Sequence, residues 1–153
     1  MIGEYGHCYV KPEVLEFFKK NLKADIITPN QYEAEVLSGI KIDKAEDLKT
    51  VATYFHNIGV KIVIITGIKM DNENELNIFV SEKKSPSFLI KTKKHFSDIP
   101  INGTGDLFSS VFLGMYLKTK DVLLSAQSAV FFLELAIKNT IDSGERELQV
   151  LSV

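Results

Sequence analysis

Cysteine occurs once in the 153 residues, as Cys8, so no internal disulfide can form. A reduced, cytoplasmic setting is the expectation, and Cys8, with only His7 beside it, reads as an inert thiol. Long apolar runs are also scarce. Ile62 to Ile65 is far shorter than the roughly 20 residues that cross a bilayer, and no membrane partner is expected. Met1-Ile2-Gly3-Glu4 has no basic n-region and no apolar h-region, which speaks against a signal peptide. An excess of one charge is missing too. The net charge of −2 gives no reason to expect nucleic acid or an anionic membrane surface as partner. His7, His56 and His95 lack metal-ligand spacing among themselves or with Cys8, so no zinc site is expected. No repeat, low-complexity tract or linker divides the chain, and residues 1–153 read as a single domain.

What is present is an ordinary globular mixture, 45% hydrophobic and 25% charged, in the pattern of an α/β protein. Lys11 to Lys23 reads as a helix, with Pro12 in its first turn and Val14, Leu15, Phe18 and Leu22 on one face. Ala24 to Thr28 reads as a short buried strand, ended by Pro29. Asn30 can cap a helix from Gln31 to about Leu37, which Gly39 stops. Asp43 with Glu46 resembles a capping box for a helix from Lys44 to Asn57, with Leu48, Val51, Ala52 and Phe55 as its apolar face. Lys61 to Thr66 is a β-branched central strand. This order predicts a mostly parallel sheet flanked by helices. Leu76 to Ser81 and Ser87 to Thr92 add an antiparallel edge hairpin, and Asp71 to Asn74 a solvated loop. Helices follow from Asp106 to about Leu117 and from Asp121 to Asn139, with Phe131 and Phe132 in the core. Ser143 to Val153 is expected to form a short final strand and tail. Lys91, Lys93 and Lys94 read as a solvated strand end.

Asn102-Gly103-Thr104-Gly105-Asp106-Leu107-Phe108 carries the most chemistry. Gly103 and Gly105 permit backbone conformations that other residues resist. The segment opens into an apolar-faced helix, and successive amides at such a start form a cradle for an anion such as phosphate. Fixed amide donors also stabilise the charge that spreads over a phosphoryl group in transfer. Asp106 is either a carboxylate favoured by the helix dipole or the base that takes a proton from an attacking alcohol. Thr28-Pro29-Asn30-x-x-Glu33 sets an amide and a carboxylate at a strand-to-helix corner, where ligands bind in open α/β sheets. Glu33 either reaches a magnesium ion through water or is simply an acidic first-turn residue behind an Asn cap. Thr66 either meets a nucleotide phosphate or begins a loop.

Taken together and in this order, these segments resemble the ribokinase-like superfamily, and within it the pyridoxal kinases. Ala24 to Gly39 matches the pyridoxal kinase form of the Thr-Pro-Asn-x-x-Glu motif almost residue for residue. Gly103-Thr104-Gly105-Asp106-Leu107-Phe108 matches the catalytic motif. Gly3-x-x-Gly6-x-x-Tyr9-Val10 resembles the stretch after the family's Asp-Pro-Val strand, and Ser143-Gly144-x-x-Glu147-Leu148-Gln149 its C-terminal end. Glu4 departs from the Asp usual in these kinases. Met1 falls inside the Asp-Pro-Val strand, so the expectation is a ribokinase-like fold truncated at its N-terminus.

The resemblance implies ATP-dependent phosphorylation of pyridoxal to pyridoxal 5'-phosphate, in vitamin B6 salvage, with activity expected to need the family's N-terminal half, which supplies most of the pyridoxal pocket. Asp106 would be the catalytic base, and the amides from Gly103 to Gly105 the anion hole. Thr104, Asn30 and Thr66 would contact ATP. Glu33 would help hold Mg2+, with a monovalent cation such as K+ as a further cofactor. The family implies a homodimer, and a separately encoded N-terminal half is a possible partner. The alternatives are an inactive nucleotide-binding remnant, one part of a split kinase, or a hydroxymethylpyrimidine kinase. Hydroxymethylpyrimidine kinases usually carry Cys at the position of Asp106. Sugar kinases usually read Gly-Ala-Gly-Asp where this chain has Gly103-Thr104-Gly105-Asp106.

Overall fold

The strand Ile62–Ile68, named β2, has β-branched residues at most positions, and Ile62, Val63, Ile64 and Ile65 are buried in turn. A strand buried on both faces belongs inside a sheet. The computed structural model, which describes residues 9–70, 75–93 and 101–150, puts it there. The sheet order is β1 (Ile26–Ile27), β2, β3 (Glu75–Glu82) and β4 (Phe88–Lys93). β1 pairs with β2 in parallel, with Ile26 opposite Ile62 and Ile27 opposite Val63. β3 runs antiparallel to β2, from Ile62 opposite Glu82 to Ile68 opposite Asn77. β4 lies beside β3 after the short Lys83 to Ser87 connection, and so short a link returns a strand antiparallel. The α/β class and the edge hairpin thus stand as expected, and parallel pairing among the described strands is confined to β1 and β2.

Helices α1 (Pro12–Asn21), α2 (Gln31–Ser38), α3 (Ala45–Asn57), α4 (Thr104–Thr119) and α5 (Val122–Ser143) complete the described elements. Several bounds differ from the sequence expectation. β1 is only two residues long and half-buried. β2 continues past Thr66 through an irregularity between Ile65 and Ile68. The start of α3 is shifted by one residue. Lys44 holds the cap position, and the Asp47 carboxylate, not Glu46, accepts from the amides of Asp43 and Lys44, each at 3.0 Å. α5 runs on to Ser143, so the expected final strand shrinks to one parallel bridge between Glu147 and Asn102. The readings made on Gly3, Glu4, Gly6, His7, Cys8, the 71–74 loop, Lys94, His95 and the last three residues lie outside the described residues.

Contacts divide the described chain into two compact units. One holds residues 9–70 and 76–91; the other holds 75, 92–93 and 101–150. In the first, α2 and α3 pack on β2. Its core joins Leu48, Val51, Ala52 and Phe55 of α3 to Val63, Ile65 and Ile68 of β2, with Ala34, Ile42, Val60 and Phe79. Full burial of a side chain such as Phe55 or Leu48 stabilises by about 1.5–3 kcal/mol. The α3 face predicted from spacing is therefore the face buried. His56 is tied structurally, with Nδ1 2.9 Å from the Val60 carbonyl and Nε2 3.0 Å from Ser81 Oγ.

In the second unit α4 packs on α5. Phe108 and Phe112 are buried on α4, and their rings stack at 6.5 Å. Asp121 caps α5 by accepting from the Leu124 amide at 2.8 Å. α5 is long and apolar enough, by length and composition alone, to cross a bilayer. Its small residues Ser125, Ala126, Ala129 and Ala136 are buried, as in a helix that packs closely on another. Phe131 and Phe132, expected in the core, are instead 58% and 45% exposed. Adjacent residues sit about 100° apart around a helix, and α5 turns Ala129 and Val130 inward rather than the two phenylalanines.

Candidate active site

The second unit carries the glycine turn. Gly103 is the residue before α4, with φ 90° and ψ 0°, a conformation that costs little only for glycine. From there the chain enters the helix at once. Thr104, Gly105 and Asp106 form its first turn, two residues earlier than expected. Leu107 N–H donates to the Gly103 carbonyl at 3.0 Å, the first bond of the helix. Gly105 is therefore helical, not left-handed, and its lack of a side chain serves another purpose. A Cβ built on it meets nothing within 4 Å, so the position is open. A Cβ on Gly103 would stand 3.6 Å from Leu148 Cβ.

No side chain caps α4. The first-turn amides thus lack an intrahelical acceptor by geometry and lack a side-chain cap, on a turn that is largely exposed. Donors arranged in this way at the positive end of a helix suit an anion. Asp106 is exposed at the same turn. Ser110 Oγ donates to the Asp106 carbonyl at 2.8 Å, and Ser109 Oγ donates to that of Gly105 at 2.8 Å. These bonds lock the backbone of the turn and leave the Asp106 carboxylate outside them.

Behind the turn lies a contact that sequence reasoning missed. Asn102 N–H donates to the Arg146 carbonyl at 3.0 Å, and Leu148 N–H donates to the Asn102 carbonyl at 3.3 Å. Asn102 Nδ2 also lies 3.3 Å from Glu147 Oε1. Nothing in the local pattern of 143–150 specifies a partner some 45 residues away.

The first unit carries the other three candidate residues, Asn30, Glu33 and Thr66. Asn30 Oδ1 accepts from the Glu33 amide at 2.9 Å, and Glu33 Oε2 accepts from the Asn30 amide at 3.1 Å. The pair is a reciprocal capping box, so the plain helix-start reading describes these bonds. Thr66 joins the same corner. It forms a parallel bridge with Asn30, and its N–H donates to the Pro29 carbonyl at 2.9 Å. The structure thus brings Asn30, Glu33 and Thr66 together at the end of β1 and β2. Gly103, Thr104, Gly105 and Asp106 share one turn of the other unit.

Gln31 was not singled out by sequence, yet it ties this corner to its surroundings. Its Nε2 donates to Glu35 Oε1 and to the Ile42 carbonyl, each at 3.2 Å, and its Oε1 accepts from the Lys69 amide at 3.1 Å. The i,i+4 spacing of Gln31 and Glu35 was a readable signal. Glu35 is buried and also accepts from Lys41 Nζ at 2.6 Å and the Ile42 amide at 3.2 Å. Burial alone would raise its carboxyl. The donors from Lys41, Gln31 and Ile42 outweigh burial and hold it below the usual carboxylate range.

Among the described residues no cluster of three or more His, Cys, Asp or Glu side chains is set to hold a metal. Magnesium needs fewer protein ligands, since one or two carboxylates with phosphate oxygens and water complete its shell. Glu33 offers such a carboxylate oxygen donor, with Oε2 already on the Asn30 amide.

The sequence profile described as phosphomethylpyrimidine kinase matches residues 1–150. A pyridoxal kinase of Dictyostelium discoideum is 34% identical over 154 residues, covering 94% of this chain and 51% of that protein. A hydroxymethylpyrimidine/phosphomethylpyrimidine kinase of Aquifex aeolicus is 32% identical over 145 residues, covering 95% of this chain and 53% of that protein. Among solved structures, the pyridoxal kinase of Leishmania donovani in complex with ADP and pyridoxine superposes with a TM-score of 0.83 at 27% identity. It covers 98% of this chain and 53% of that one. The chain spans about half the length of the relatives it matches.

Proposed function

Because the chain belongs to the phosphomethylpyrimidine kinase family, we propose that it carries the phosphoryl-transfer machinery of an ATP-dependent pyridoxal kinase. One observation supports this most: the exposed, side-chain-uncapped first turn of α4, with Gly103 in its left-handed conformation and Asp106 beside it. In this reading the amides from Gly103 to Gly105, joined by that of Asp106 in the same helical turn, receive the oxygens of the transferring phosphoryl group. Because they are fixed before the reaction, they stabilise its charge without reorganising. Asp106 accepts the proton of the substrate's hydroxymethyl oxygen as that oxygen attacks the γ-phosphorus. The bond from the γ-phosphorus to the bridging oxygen breaks, and ADP leaves with the bond's electron pair. Positioning and charge stabilisation carry the catalysis, with no covalent enzyme intermediate.

Thr104 contacts the ATP phosphates, and Asn30 and Thr66 lie along the nucleotide. Glu33 would help hold Mg2+, and the ion would neutralise charge on the phosphates. A monovalent cation such as K+ is a further proposed cofactor. The reduced, cytoplasmic setting follows from the single cysteine, Cys8, and a homodimer is what the resemblance to pyridoxal kinases implies.

A second reading, hydroxymethylpyrimidine kinase, draws on the Aquifex aeolicus relative. Asp106 weighs against it, because hydroxymethylpyrimidine kinases, unlike pyridoxal kinases, usually carry Cys there. Titration calorimetry of Mg-ATP into the chain, with and without pyridoxal, tests the proposal. Saturable Mg-ATP binding that is lost on Gly103→Val is expected. No binding at millimolar nucleotide would sink it. Offering pyridoxal and hydroxymethylpyrimidine as competing acceptors to the chain complemented by an N-terminal half separates the two kinase readings.

A further inference from the structure

Behind the glycine turn runs a chain of contacts that ends on a buried hydroxyl in the last part of α5. Thr140 is fully buried. Its Oγ1 donates to the Ala136 carbonyl at 2.7 Å and accepts from the Gln149 amide at 2.8 Å. Gln149 follows Leu148, whose N–H donates to the Asn102 carbonyl, and Arg146, whose carbonyl takes the Asn102 N–H. Both backbone groups of Asn102 are thus held by the 146–148 segment. Asn102 immediately precedes Gly103.

The segment needs such an anchor. Arg146, Glu147, Gln149 and Val150 are exposed, and only Leu148 is half-buried. Exposed chain gains little from apolar burial, so directed hydrogen bonds must fix it. Thr140 supplies one from a rigid helix. A buried hydroxyl that both donates and accepts is also costly to replace by an apolar group, because it leaves the Gln149 amide unpaired.

We infer that Thr140 is a positioning residue for the phosphate-binding turn, acting through the 146–149 segment on Asn102. The turn holds its anion with amides whose directions depend on the peptide entering Gly103. With Asn102 clamped on both sides, that peptide is oriented before any ligand arrives. Released, it would sample other directions, and the amides from Thr104 to Asp106 would have to be ordered on binding. The inference rests on the proposed nucleotide reading of that turn.

The test compares the chain with Thr140→Val, Thr140→Ser and Gln149→Pro. Thr140→Val keeps the volume and removes the acceptor, whereas Thr140→Ser keeps the hydroxyl. Gln149→Pro removes the donor on the exposed side and leaves the α5 core untouched, so it serves even if Thr140→Val fails to fold. Amide hydrogen exchange is read at Asn102 and Leu148, and calorimetry reads Mg-ATP affinity. Thr140→Val and Gln149→Pro should each speed exchange at both amides, while the middle amides of α4 and α5 stay protected. Each should weaken Mg-ATP about five-fold, the scale of one lost hydrogen bond. Thr140→Ser should restore both readings. Unchanged exchange at Asn102 in Gln149→Pro overturns the clamp. Faster exchange with unchanged affinity overturns its positioning role. If the unaltered chain binds no Mg-ATP, the nucleotide reading falls and takes the positioning role with it, while exchange at Asn102 still shows whether the clamp exists.

Discussion

At the scale of single residues, Gly103 and Gly105 look alike in the sequence and differ in the structure. Gly103 needs its glycine for its own backbone, at φ 90°. Gly105 is helical, with open space where a Cβ would point. Gly103→Ala should therefore cost about 1–2 kcal/mol of stability in denaturant unfolding. Gly105→Ala should gain about 0.5–1 kcal/mol, and yet weaken Mg-ATP if phosphate approaches the turn where the structure leaves it open. Equal unfolding midpoints for the two variants would contradict the assignment. Asp106 is the residue whose two readings, dipole partner and base, the sequence left open. Asp106→Asn keeps the shape and removes the proton acceptor. In a turnover assay of the chain complemented by an N-terminal half it should lower kcat by about 100-fold or more, with Mg-ATP affinity changed by less than about three-fold. A kcat within a few-fold of the parent would leave Asp106 as a helix-start residue only.

At the scale of elements, the helices with strong apolar spacing were legible. The 3, 4 pattern of Leu48, Val51, Ala52 and Phe55 gives α3 its face, and Asn30 and Gly39 bound α2 as their chemistry requires. The start of α3 lies one residue later than its spacing predicts, because Asp43, Glu46 and Asp47 offer overlapping capping patterns and only the chain path selects Asp47. α2 also carries Glu35, whose carboxylate holds Lys41 and the Ile42 amide. Glu35 has its carboxyl held below the ordinary value, so its charged form contributes stability above the unfolded pKa. That contribution is lost as pH falls through the lower folded value. Glu35→Gln should destabilise by about 1–2 kcal/mol at neutral pH. The gap between variant and parent should narrow as pH falls from the ordinary carboxylate range through the lower folded value. A gap that persisted unchanged to pH 3 would show that the carboxylate charge is not what stabilises the 40–43 loop.

For the whole molecule, a ligand that binds only the folded chain must raise its thermal midpoint. At 100 times its dissociation constant, Mg-ATP should add about 2.7 kcal/mol, or roughly 5–10 °C for a chain of this size. Differential scanning fluorimetry reads this directly, and a flat response across millimolar nucleotide would count against the kinase reading. By itself the sequence determined the α/β class, most helix positions and the two motifs at Asn30 and Gly103, because these depend on periodicity, capping and turn chemistry within a few residues. It could not decide which flank of a helix is covered, so the apolar pattern predicts Phe131 and Phe132 inside although both are exposed. Nor could it find the clamp from Thr140 through Gln149 to Asn102, or the bond from Gln31 to the Lys69 amide. Those pairings join backbone groups of distant segments. Backbone amides and carbonyls are the same at every residue, so only the folded path of the chain selects which of them meet.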